Sequence, residues 1–302
     1  MNLTKEIYST LCKQGKTKLV ESFSTNMIIQ KYKSENHIDV SRFFQGSDEL
    51  KLLECLDTGY RFYYPKNVIG DALFYKELAT HRENYYSRRW EHKKALKSIN
   101  RADKVLEIGS GFGSFLELLI ENDCKDVRGI ELSELAVQRC KEKGLNVDSK
   151  LIEDFDESTK FDVICSFQVL EHVYDVNSFL NSAIRLLKSG GKLIIGVPNN
   201  NPYLHIIDKY HTLNLPPHHA GLWSKKSLKS LPNIFPLKLS SINCEPLENS
   251  YSYFLNFYFE NSNNKFLKNI LKILNRINKK MVKYLITAFV SGRNILVVYK
   301  KN

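Results

Sequence analysis

The chain has 302 residues, 43% apolar and 25% charged, the balance of a soluble globular protein with room for about two domains. That excludes a mostly disordered, collagen-like or polytopic membrane chain, and six scattered cysteines with no C-x-x-C pair exclude a disulfide scaffold. The 44 Lys and Arg against 33 Asp and Glu leave a net +11, yet the excess is local: Asn261–Asn302 holds ten cations and no acid. A general affinity for nucleic acid is therefore not implied.

The first twenty residues carry lysines throughout and lack an apolar core, so no secretion signal is expected. No apolar run approaches the ~18–20 residues of a membrane span, and a cytoplasmic location is expected. Residues 1–85 read as a small α+β accessory region. Within it Phe23–Tyr32 and Lys51–Tyr64 read as strands, the latter pair turning at Asp57-Thr58-Gly59 and ending at Pro65. Tyr60, Phe62, Tyr63 and Tyr64 fit a β core better than a platform for stacking bases. Phe74–Ile99 reads as helical, with a break near Tyr85-Tyr86.

From about residue 86 short apolar runs alternate with amphipathic helices, the pattern of βαβ units around a parallel sheet. Strands are expected at Lys104–Ile108, Val127–Ile130, Phe161–Ser166, Lys192–Val197, Leu237–Asn243 and Asn294–Lys300. Helices are expected at Phe115–Asn122, Glu134–Lys143 and Val176–Lys188, the last stopped by Gly190-Gly191. The fold class is thus α/β over residues 86–302: a doubly wound, mostly parallel seven-stranded, Rossmann-like sheet. A C-terminal helical insertion, 263–290, precedes the last strand.

The first of these strands runs into VLEIGSGFGSF. Glycines at 109, 111 and 113 let the backbone turn sharply and a ligand approach closely. The dinucleotide fingerprint is G-x-G-x-x-G, and Ser114 stands where it needs its third glycine. Glu107, two residues before the first glycine, repels a pyrophosphate and suits a cationic ligand. Glu131 ends the second strand, where an acid accepts hydrogen bonds from ribose hydroxyls. An NAD-dependent oxidoreductase would want the third glycine and no Glu107; a non-catalytic binding module would have a degenerate loop.

Four runs in order, VLEIGSGFGSF, GIELSELAVQRCKEKG, FDVICSFQVLEHV and LLKSGGKLIIGVPN, resemble the class I S-adenosylmethionine-dependent methyltransferases over roughly residues 86–200. The resemblance implies S-adenosylmethionine as cofactor, with Glu107, Gly109, Gly111 and Gly113 under its methionine and ribose, Glu131 on the ribose hydroxyls and Leu132 beside the adenine. It also implies Glu153 or Asp154 at the adenine amine, and Phe167 and Gln168 near the transferred methyl. Ubiquinone-pathway and small-RNA terminal methyltransferases resemble the next segment, but with E-x-x-E-H, where two acids and a histidine can hold a metal. Here the first acid is Gln168, and losing a hard carboxylate ligand weakens a divalent site, so no metal is expected. Glu171 and His172 remain as a catalytic pair or as the start of a helix.

Residues 198–232 form a loop too long for a plain connector, and in the family this region covers the acceptor. His218 or His219 could serve as general base for an acceptor hydroxyl, with His172 a further candidate; the alternative is an ordered cap of prolines and histidines. Trp223 stacks on an acceptor or is a buried anchor. ECLDTGYRFYYP and FYKELATHRENYY resemble the region before bacterial methyltransferases of glycan and natural-product pathways, which implies a small-molecule or glycan acceptor, a sugar hydroxyl or a lipid-linked intermediate. Some of those relatives hold a zinc there with paired cysteines; with Cys55 alone in this run, no zinc is expected. Lys265–Val290 reads as one basic amphipathic helix. It either lies on an anionic inner-membrane surface over 264–290, or packs on the domain or on a second subunit of a homodimer. RNA methylation is the competing activity and would show steep salt dependence through this segment.

Overall fold

The computed structural model describes residues 7–80, 88–200, 209–261 and 264–302. The main sheet has seven strands: β4 (Val105–Ile108), β5 (Val127–Ile130), β6 (Val147–Asp148), β7 (Phe161–Phe167), β8 (Leu187–Pro198), β10 (Leu237–Cys244) and β11 (Asn294–Lys301). Their order is β10-β11-β8-β7-β4-β5-β6. The five strands from β8 to β6 run parallel, and β11 lies antiparallel to both β8 and β10. Side chains alternate across the sheet, as the period of two requires. Leu106, Ile164, Ile195 and Val297 enter one core, and Val105, Val163, Ile194 and Leu296 the other.

Helices α3 (Trp90–Leu96), α4 (Ser114–Glu121) and α5 (Glu134–Glu142) cover the second face. The first face carries α6 (Val176–Leu186) and α7 (Lys225–Lys229). Caps fix where they start: Ser133 Oγ accepts from Ala136 N at 3.4 Å and Asp175 Oδ1 from Ser178 N at 3.0 Å. The winding reverses direction between β4 and β7, so the crevice opens at their carboxyl ends.

A second, antiparallel sheet joins β1 (Thr17–Ser24), β2 (Glu49–Cys55), β3 (Arg61–Tyr64) and β9 (Gly221–Leu222). Its last strand comes from the long loop after β8, so the N-terminal layer is completed by that loop. Tyr60 and Phe62 share a core with Trp223 and the main sheet, while Phe23, Ile28, Tyr32 and Tyr63 form their own with Phe74 and Leu222.

Several expectations are corrected. Phe23–Tyr32 is not a strand: β1 ends at Ser24, whose Oγ caps Met27 N at 3.5 Å, and α1 (Thr25–Glu35) buries Ile28 and Tyr32 one turn apart. The helix expected to reach Lys188 ends at Leu186, and Gly190, at φ +73, lies inside β8 rather than stopping a helix. The two-residue β6 had no run long enough to read. The expected break near Tyr85-Tyr86 lies outside the described residues, between α2 (Ala72–Thr80) and α3. The basic segment is two helices, α9 (Lys265–Ile277) and α10 (Lys279–Phe289), parted at Asn278, whose side chain caps Met281 N at 3.0 Å. A further helix, α8 (Tyr251–Asn261), precedes them. Among the described residues no helix is long and apolar enough to cross a membrane.

Candidate functional site

The glycine turn leaves β4 at the carboxyl edge. Gly109 and Gly113 have φ +74 and +79, and a Cβ at either would fall 2.3 Å from Val169 Cγ2 or 2.2 Å from Leu145 Cδ1. Only glycine satisfies both the backbone and the space. Across the turn sits Glu131. One carboxylate oxygen accepts from Gly111 N at 2.9 Å, the other from Leu132 N at 2.8 Å and Ser133 N at 2.9 Å. The side chain is thereby fixed between the ends of β4 and β5. Leu132 beside it is 61% exposed, an apolar surface left open at the crevice. Glu153 and Asp154 lie exposed in the short turn after β6.

Beneath the turn Glu107 is buried, and its Oε2 has no hydrogen-bond partner among the described residues. Burial, with the Glu131 carboxylate adding to it, pushes the Glu107 carboxyl well above its ordinary range. A cation arriving over the turn would restore the ionised form, so the residue fits a positively charged ligand.

At the end of β7, Phe167 is not open to the crevice: it is buried between His92 and Phe115, with ring centroids 5.0 and 4.8 Å away. Gln168, at φ +55, turns its amide to Glu91 Oε1 at 3.0 Å and Asn294 Oδ1 at 3.3 Å. Glu91 on α3 is fully buried, and burial raises its carboxyl above the usual range. Sequence reasoning missed it, because an acid in WEHKK looks like any solvated helix position. The absence of a side chain at Gly196 admits it: a Cβ there would stand 3.3 Å from Glu91 Cγ.

The segment Leu170–His172 is a turn, not a helix start; α6 begins only at Val176. Glu171 is buried, with its carboxyl pushed up to about 8 by burial. Its backbone carbonyl accepts from Ala220 N at 2.8 Å and Gly221 N at 3.1 Å, which ties the long loop after β8 to the end of β7. That tie brings His218 and His219 against His172, with ring centroids 4.9 and 5.1 Å from it and 4.5 Å from each other. His172 Nδ1 lies 2.5 Å from the His218 carbonyl oxygen. A carbonyl only accepts, so Nδ1 carries the proton and Nε2 holds the basic lone pair, 3.7 Å from Glu171 Oε1. His218 and His219 are each 4% exposed, whereas His172 reaches the surface.

Two donor groups bear on the expected absence of metal. Nitrogens of His172, His218 and His219 all lie within 4.8 Å of one another, a set that Gln168 alone did not foretell, since two of its members come from the long loop after β8. Cys55 also has a thiol neighbour after all: Cys12 Sγ is 3.1 Å away, with Asp57 completing a group within 4.8 Å. Two thiols and a carboxylate fall short of the four ligands of a structural zinc. Trp223 is a buried anchor, its ring 4.5 Å from Tyr60.

The family described as "Methyltransferase domain" matches residues 78–233, just over half of the chain. A ubiquinone biosynthesis O-methyltransferase of Pelagibacter ubique is 31% identical over 195 residues, covering 58% of this chain and 78% of that protein. One of the same name from Pseudomonas aeruginosa is 36% identical over 111 residues. The chain spans 47% of its length, about half, as with other curated relatives it matches. Among solved structures, a SAM dependent methyltransferase from Archaeoglobus fulgidus superposes with a TM-score of 0.50 at 17% identity, over 76% of this chain and all of that one. A protein from Pyrococcus horikoshii OT3 gives 0.51 at 16%, over 77% of this chain. These two likenesses speak to the fold, and the seven-strand order agrees with it. A family match across more than half the sequence, on a sheet whose carboxyl edge carries the glycine turn and its paired acid, means that the chain belongs to the methyltransferase domain family.

Proposed function

We propose that the chain moves a methyl group from S-adenosylmethionine to a hydroxyl oxygen of a small amphiphilic acceptor by in-line displacement. The observation that carries this is Glu131, pinned at the end of β5 by three backbone N–H groups. A carboxylate offers about four acceptor directions, so one remains for a ribose hydroxyl. The other residues fit the same cofactor. Glu107 suits its cationic end, Leu132 a flat adenine face, and exposed Glu153 or Asp154 the adenine amine. When bound, the cofactor supplies an electrophilic methyl on a sulfonium.

The chain's own task is to hold the acceptor oxygen in line and take its proton. Holding two reactants in line is worth up to about 7–11 kcal/mol of barrier, and a positioned base adds ~10²–10⁴-fold. His172 is the base in this reading, because Nε2 is the ring nitrogen not engaged by the His218 carbonyl and its ring reaches the surface. His218 and His219 orient it and line the acceptor side. Gln168, held by Glu91 and Asn294, closes the floor near the transferred methyl.

Curated relatives named as O-methyltransferases support a hydroxyl acceptor. Their names lend nothing to a sugar, so the glycan reading rests on the N-terminal resemblance alone. In the same proposal residues 1–85 are an acceptor-side scaffold, 86–302 the catalytic domain and 198–232 the acceptor loop. RNA draws no support from the N-terminal aromatics, since Tyr60, Phe62 and Tyr63 are buried.

The test is transfer of labelled methyl to hydroxylated acceptors that differ only in their lipid tail. Turnover should favour tailed acceptors, fall by ~10²-fold or more in His172→Ala, and be indifferent to a chelator. Unchanged turnover in the variant, or loss on chelation restored by zinc, would contradict the base assignment.

A further inference from the structure

We infer that α9 and α10 form an interfacial anchor that docks this chain on the surface of an anionic phospholipid bilayer. In α9, at 100° per residue, Phe266, Leu267, Ile270, Ile273, Leu274 and Ile277 share one half of the helix, and Lys265, Lys268, Lys272 and Arg276 the other. No residue of α9 is buried. Phe266 is 76% exposed and Ile277 74%, and on α10 Tyr284 is 75% and Phe289 88%. α10 spends its inner side on the chain, burying Val282 and packing Ile286 against the core of α8, and leaves Met281, Tyr284, Leu285 and Phe289 exposed.

Charge decides the occupant. The segment from Asn261 to the last residue carries ten cations and no acid. A second copy docked on this face would bring the same cations against themselves. RNA would gain the cations and leave large aliphatic side chains with nothing to pack on. An anionic bilayer takes both, the apolar half into the headgroup–acyl boundary and the cations at the phosphates. Thirteen residues in α9 are far too few to span a bilayer, so the contact is peripheral.

The anchor is joined to the active edge. Its stem closes where Glu245 N donates to Asn294 O at 2.8 Å and Asn294 Nδ2 to Glu245 Oε2 at 2.8 Å. The same Asn294 accepts from Gln168. From α8, Phe257 packs on His211 of the acceptor loop, with ring centroids 5.4 Å apart. Docking therefore sets the acceptor edge at the lipid interface, which, resting on the function proposed above, explains a tailed acceptor.

The experiment is co-sedimentation of the full chain with phosphatidylcholine vesicles and with vesicles also containing phosphatidylglycerol. Anionic lipid should raise binding at least tenfold, with about fivefold lost per removed cation and weakening in salt. Phe266→Asp with Ile277→Asp should lower binding by more than about tenfold, and Lys268→Glu with Lys272→Glu likewise, all with an unchanged melting temperature. Equal binding to both vesicles, no binding by the folded chain, RNA binding stronger than vesicle binding, or a dimer that Phe266→Asp dissolves while vesicle binding persists would each overturn the anchor. Binding is read without turnover, so failure of the methyltransferase reading would leave this result standing, and the reverse.

Discussion

Gly109 has no tolerance for a side chain, for two independent reasons: its φ of +74 and the Val169 methyl 2.3 Å from where a Cβ would stand. Gly109→Ala should cost about 1–3 kcal/mol of stability and abolish cofactor binding. Thermal melts with titration of S-adenosylhomocysteine check this, and an unchanged melt with unchanged binding would contradict it. Glu171 makes a prediction about pH. Its folded pKa of about 8 lies above the ordinary 4.5, so between those values the folded state binds more protons than the unfolded one. Stability from this group is therefore present below pH 4.5 and falls as pH rises through 8, by an amount on the order of a few kcal/mol. In Glu171→Gln the difference between urea unfolding at pH 5 and at pH 9 should shrink; an undiminished difference would show that the carboxyl is not the source.

The long loop after β8 takes its shape from elements far upstream. Tyr32 on α1 puts its hydroxyl 2.8 Å from the Thr212 carbonyl and 2.9 Å from that of Leu215, and Tyr63 on β3 donates to Asn214 O at 2.8 Å. Tyr63→Phe leaves that carbonyl without its donor, at about 1 kcal/mol. Acceptor KM should rise several-fold with cofactor affinity unchanged; equal effects on both would mean a general loss of fold. This bracing was illegible in the sequence because its partners stand 151 to 183 positions apart. Cys12 and Cys55 were hidden in the same way, as was Glu91 under Gln168. What was legible were features written locally: the apolar runs of β4, β5 and β7, the glycine turn, and the acid that closes β5. Elements failed where a cap outweighed the pattern, as Ser24 does in turning an apparent strand into α1, and Asn278 in splitting one helix into α9 and α10.

At the scale of the whole molecule, three layers converge on one edge. The main sheet supplies Glu107, the glycine turn and Glu131; the N-terminal sheet braces the histidine loop; the helical insertion is rooted at Asn294 beside Gln168. The central claim is that this edge binds S-adenosylmethionine through Glu131. Calorimetric titration of S-adenosylmethionine and S-adenosylhomocysteine into the wild type and into Glu131→Ala tests it most directly. A hydrogen bond to a charged carboxylate is worth about 1.5–3 kcal/mol, so the one left for a ribose hydroxyl amounts to roughly tenfold or more in affinity. Binding by the wild type, weakened at least to that extent in a variant that still melts cooperatively, is the result expected; no binding by the folded wild type, or equal binding by both proteins, would contradict the account.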